Sequence, residues 1–126
     1  MTGIATEAFV AIWEQLLVKT VAFVRPDAIV VSAGFDYVKG DPVGDLGVDV
    51  DAAASLAAAI NRVAAIYAGG RAAYVLEGGY DIDDLTESIA QVIAAKNEGD
   101  DVTGADSAAI PAPQQRSLDR VASCLS

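Results

Sequence analysis

Residues 31–36 read VSAGFD, an apolar run that stops at Gly34 and is followed by an acid, Asp36. A second apolar run stops in the same way at Glu77-Gly78-Gly79-Tyr80. A carboxylate such as that of Asp36 can ligate a hard or borderline cation. A tyrosine hydroxyl such as that of Tyr80 can donate a hydrogen bond to a developing oxyanion. Gly78 and Gly79 would let backbone and substrate approach closely. Sites in open parallel sheets collect at the carboxyl ends of strands, so two neighbouring strands would raise Asp36 and Tyr80 on one rim. Each residue also has an ordinary reading, as a turn acid and as an aromatic anchor. On spacing alone those readings are the commoner ones.

The other candidates are weaker. Asp36, Asp41, Asp45, Asp49 and Asp51 crowd one stretch. A calcium loop needs ligands at alternate positions, a central glycine and a terminal glutamate, and the stretch beginning at Asp49 has alanines where those should be. A solvated turn-rich loop is expected, with Asp41 bracing it rather than binding metal. Gly69-Gly70 and Gly78-Gly79 match neither phosphate-loop nor dinucleotide spacing, and the first pair reads as a helix end. The single cysteine, Cys124, excludes an intrachain disulfide and a cysteine-cluster metal site. There is no histidine. Most zinc enzymes and most general-base hydrolases use at least one imidazole.

The elements that must position these residues follow from periodicity. Residues 6–23 carry Phe9, Ile12, Trp13, Leu16, Leu17 and Val21 at helical spacing. Thr6 is the expected N-cap, and Trp13 is expected to pack. Pro26 forces an exit, and residues 27–33 (DAIVVSA) follow as a strand. Its consecutive apolar residues predict a strand covered on both faces. Residues 34–48 form a glycine-punctuated loop in which Asp41-Pro42 starts a turn. A second helix is predicted over 50–67, with Asp49 or Asp51 as cap. A strand at 72–76 and a helix at 82–96 follow, the helix capped by Asp81 with acids in its first turn.

Strand–helix–strand with a helical crossover predicts two parallel neighbours. Residues 1–97 then read as a partial α/β domain with a β-α-β core and flanking helices. Residues 98–126 read as a polar, loosely attached tail with a short helix near 116–125. Two apolar strands alone leave open sheet edges, which invite pairing with other chains. The sequence therefore reads as the end of a larger parallel-sheet fold, or as a chain that completes itself by assembly, including as a homo-oligomer.

The 126 residues carry a net charge of −10, which argues against direct nucleic-acid binding. Residues 52–60, the most apolar uncharged stretch, fall far short of the roughly 20 residues a membrane span needs. No signal peptide is evident, and a cytoplasmic protein is expected.

VVSAGFD, KGDPVGDLGV and VLEGGYDIDDL, taken together and in this order, resemble the C-terminal third of the histone deacetylase superfamily, which includes bacterial deacetylases and acetylpolyamine amidohydrolases. The likeness covers residues 6–96. It implies the C-terminal portion of an arginase/deacetylase-like fold with a mostly parallel central sheet. It also implies a zinc ion held by two aspartates and a histidine, with Asp36 as one ligand. By the same resemblance Tyr80 stabilises the tetrahedral oxyanion, and Gly78 and Gly79 lie beside the substrate channel.

The family's remaining ligands sit on an upstream Asp-x-His element, and its general base in a His-His pair further upstream. Neither occurs here. One carboxylate cannot hold zinc tightly, and a tyrosine hydroxyl, which keeps its proton at neutral pH, cannot serve as the base. The resemblance thus implies a segment of a zinc-dependent amidohydrolase acting on acetyl-lysine or acetylpolyamine. It is expected to be inactive alone and to be completed by an N-terminal half or a complementary chain that carries the histidines. The alternative is a non-catalytic α/β binding or assembly module derived from that family.

Overall fold

The computed structural model describes residues 3–100. The element order is α1 (Thr6–Val24), β1 (Ile29–Ala33), α2 (Ala52–Tyr67), β2 (Ala72–Leu76) and α3 (Ile82–Asp100). This is the predicted α/β order. Helix α2 starts two residues later than expected, and α3 continues past the expected end at Lys96. The short helix expected near 116–125, and Cys124, lie outside the described residues.

Helix α1 begins differently from the sequence expectation. Ala5 holds the N-cap position, with extended backbone and no side-chain cap. The hydroxyl of Thr6 is engaged elsewhere. It donates to Asp49 Oδ2 (3.1 Å) and accepts from the Asp49 amide (3.0 Å), tying the start of α1 to the segment before α2. The helix ends at Arg25, whose left-handed backbone (φ 49°) lets its amide reach the carbonyl of Val21. Pro26 then blocks any continuation. At the start of α2, Asp51 stands at the N-cap but makes no side-chain cap bond.

Strands β1 and β2 pair in parallel, from Ile29 opposite Ala72 to Ala33 opposite Leu76. The alanines of α2 explain how one helix packs against two others. Ala53, Ala57 and Ala64 are buried together with Val63, and such small side chains let helix backbones approach. Gly69 and Gly70, both at positive φ, finish α2, with the Gly70 amide on the carbonyl of Ala64.

Among the described residues, the sheet is covered on one face only. Burial alternates along β1, and Val30 on the open face is 72% exposed. Val75 of β2 is likewise exposed. The expectation of a strand covered on both faces is not met among the described residues, which cover only one of them. Among the described residues, the outer edge of β1 is also unpaired. The amide of Ile29 donates to Arg71 and the carbonyl of Ala33 accepts from Glu77, so odd-numbered residues of β1 face β2. The backbone groups of Val30 and Ser32 therefore point the other way. A cavity of about 330 Å³ lies alongside, walled by β1, by Phe9, Trp13 and Leu17 of α1, and by Ala57 and Ile60 of α2. Trp13, expected to pack, lines this cavity and remains half exposed.

Tyr37 lies where the loop meets α1, with its ring 5.0 Å from that of Phe9. Its hydroxyl is buried and has no hydrogen-bond partner among the described residues. Burial pushes its pKa up to about 12. The folded chain thus favours the neutral phenol. That contribution is complete below the ordinary value near 10 and is lost as pH rises through about 12. Tyr37→Phe removes the unpartnered hydroxyl and is expected to stabilise the fold by about 1 kcal/mol. Urea midpoints at about pH 8 and about pH 11 should fall less for this variant than for the parent chain.

Candidate functional site

The site is built at the carboxyl ends of the two strands. Beyond the ladder, the Phe35 amide donates to the carbonyl of Gly78 (2.9 Å), which draws the loop after β1 onto the loop after β2. Phe35 is itself buried and anchors the first loop. That loop is closed on itself by a bridge between Val38 and Val48. The sequence expectation joins Asp36 to Tyr80 on one rim; the structure brings the Asp36 side chain against Gly78 of the Gly-Gly-Tyr segment. A Cβ placed on Gly78 would lie 2.9 Å from Asp36 Oδ1 and 3.1 Å from its Cγ. The carboxylate rests on a glycine two residues ahead of Tyr80.

Three further glycines make this approach workable. A Cβ on Gly34 would meet the same Oδ1 at 3.1 Å. A Cβ on Gly44 would collide with the carbonyl oxygen of Asp36 at 2.0 Å. Gly79 has φ +121°, a conformation side-chain-bearing residues rarely adopt, and packs against Leu85 and Phe35. Tyr80 follows directly and is 53% exposed.

Asp41 is buried, and its role as a brace, expected from sequence, is clear. Its Oδ1 accepts from the amides of Val43 (2.8 Å) and Gly44 (3.1 Å), while Oδ2 accepts from the amide of Tyr80 (2.7 Å). Burial pushes its pKa up, but backbone hydrogen bonds from Tyr80, Val43, Gly44 and Asp81 outweigh burial and hold it below the ordinary carboxylate value. The next residue after Tyr80, Asp81, caps α3 through the amides of Asp83 and Asp84, as predicted. The bond from Tyr80 to Asp41 is the part that sequence reasoning missed. The Asp-Pro turn signal marked the near half of the brace but carried no mark of its partner 39 residues away.

The cavity beside β1 is separate from this rim. It takes in Gly34, Phe35 and Tyr37, but Asp36, Gly78, Gly79 and Tyr80 do not line it. Among the described residues, no three His, Cys, Asp or Glu side chains are grouped so as to hold a metal ion. Catalytic zinc sites normally draw on three protein ligands. The described residues therefore do not fit a complete zinc site; Asp36 offers one carboxylate. Nor is any described helix long and apolar enough to cross a membrane. What the rim presents is the Asp36 carboxylate against the close-approach surface of Gly78, with the half-exposed Tyr80 two residues further along the chain.

Residues 1–96 match the histone deacetylase domain family. Histone deacetylase 14, chloroplastic, of Arabidopsis thaliana is 37% identical over 84 residues, covering 67% of this chain and 20% of that protein. Histone deacetylase 10, chloroplastic, of Oryza sativa subsp. japonica is 42% identical over 71 residues, covering 56% and 16%. The human polyamine deacetylase HDAC10 is 34% identical over 91 residues, covering 72% and 13%. The chain thus spans a fifth or less of the length of these relatives. The crystal structure of the HDA15 HD domain superposes with a TM-score of 0.65 at 19% identity, over 98% of this chain and 32% of that one.

Proposed function

The chain belongs to the histone deacetylase family, and from that membership we propose that it supplies one wall of a deacetylase active site. The reaction is hydrolysis of an acetamide on a lysine or polyamine nitrogen, in which water adds to the carbonyl and acetate and the free amine leave. The observation that carries this reading is the Asp36 carboxylate resting on Gly78, two residues ahead of Tyr80. Tyr80 would donate its hydroxyl hydrogen to the carbonyl oxygen as negative charge develops there. Gly78 and Gly79 would leave room for the acylated side chain beside that hydroxyl. Asp36 would be one ligand of a zinc ion whose other ligands belong to a complementary segment. The general base would be a histidine of the same segment. Without that segment the chain is inactive under this reading. Its compartment is the cytoplasm, and the chloroplast named for the two plant relatives is the competing one.

A complementary segment would dock at the sheet edge. The free edge of β1 offers the backbone groups of Val30 and Ser32, beside an apolar cavity and a bare sheet face. These features also support the second reading, a non-catalytic module that assembles with copies of itself through its open edge.

One experiment separates the two. The chain is co-expressed with Arabidopsis histone deacetylase 14 from which the matching 84 residues have been deleted. Co-purification and turnover of an acetyl-lysine peptide with added zinc are expected. Ser32→Pro should abolish co-purification yet spare the β1–β2 ladder, because the lost amide faces away from β2. A stable homo-oligomer that ignores the partner would favour the module. Turnover by the chain alone, lost in Tyr80→Phe, would overturn the incomplete-site reading.

A further inference from the structure

We infer that Asp41 is a positioning residue for Tyr80, a role that rests on the deacetylase reading for its catalytic meaning but not for its geometry. A brace confined to its own loop would need only the two Oδ1 bonds to Val43 and Gly44, which make a local turn. The second oxygen does something else. Oδ2 reaches the Tyr80 amide at 2.7 Å, the shortest of the three contacts. Such a length fits a charge-assisted bond from an amide to a carboxylate.

The two halves of this contact reach both functional residues. Gly44, held by Oδ1, is the residue on which a Cβ would collide with the backbone carbonyl of Asp36. Tyr80, held by Oδ2, is followed at once by Asp81, which is fixed as the cap of α3. The backbone of Tyr80 is therefore anchored through its own amide and through the next residue, while its ring stays accessible. One buried carboxylate registers the acid-bearing loop against the phenol-bearing loop. Burial is tolerated because the charge is met by several backbone donors.

Amide hydrogen exchange on the 126-residue chain, read residue by residue by NMR, tests the contact without any assay of activity. Asp41→Asn keeps the shape but replaces one acceptor oxygen by a donor nitrogen. Asp41→Ala removes both acceptors. In either variant exchange at Tyr80 or at the Val43–Gly44 pair should speed up about 10-fold or more, and in Asp41→Ala at both. Amides of Val31 and Val75 in the ladder should change by no more than about twofold. Unchanged exchange at Tyr80 in both variants would overturn the inference, as would an equal acceleration in the ladder. If Asp41→Ala does not fold, Asp41→Asn decides, on Tyr80 and the Val43–Gly44 pair together.

In the assembly with the deleted Arabidopsis chain, Asp41→Asn should lower kcat by about 10-fold or more with KM within about twofold. A rise in KM alone would assign Asp41 to binding and overturn the positioning role. The exchange result with no turnover from any assembly would instead retain the contact and sink the deacetylase reading.

Discussion

In the completed assembly, Tyr80→Phe is expected to lower kcat by about 10²–10³-fold while KM stays nearly constant. Tyr80 is 53% exposed, so loss of its hydroxyl leaves the packing of the fold almost untouched, within about 0.5 kcal/mol. Its backbone position is set by the Asp41 contact and by the α3 cap, neither of which involves the ring hydroxyl. The variant therefore subtracts one donor from a rim that is otherwise intact. A donor aimed at charge that develops during the reaction acts mainly on the transition state, which is why the loss should appear in kcat. Single-turnover measurements with an acetyl-lysine peptide, beside a thermal melt of each assembly, check it. A KM increase with unchanged kcat would mean that Tyr80 only binds substrate. A melting temperature that falls in step with activity would mean that its hydroxyl holds the fold together.

The parts of this site legible in sequence are those made by neighbours in the chain. Asp81 caps a helix that begins one residue later, and Asp41 turns its loop through amides two and three residues on. Both patterns are short-range, and both were expected. The β1–β2 pairing was legible because a helix between two apolar runs leaves few other arrangements. What escaped were contacts between distant segments. Thr6 looks like a helix cap, yet its hydroxyl is taken by Asp49, 43 residues away. Val30 reads as core because its neighbours are apolar, but the described residues leave its face bare. Local patterns report what a segment is suited to; they do not report which partner is present.

The glycines carry the second large effect, and the test lies in comparing two of them. Gly44→Ala is expected to destabilise the fold by about 3 kcal/mol or more, lowering the melting temperature by about 12–24 °C. Its new methyl would sit 2.0 Å from the carbonyl oxygen of Asp36, and that oxygen belongs to backbone. The backbone there has little freedom, since Phe35 is buried and bonded to Gly78, and Gly44 is itself held by Asp41. Relief would require opening the loop. Gly78→Ala meets a different obstacle. Its methyl would press on the Asp36 carboxylate at 2.9–3.1 Å, and a carboxylate can rotate aside. The expected cost to stability is only about 1 kcal/mol, or 4–8 °C. The expected cost to turnover of the assembly is about 10-fold or more, because the displaced group is the one proposed to act. One added methyl at each position should thus damage chiefly the fold in one case and chiefly the site in the other. If Gly78→Ala left turnover unchanged, the placement of Asp36 against the glycine rim would have no functional weight, and the acid would revert to an ordinary turn residue.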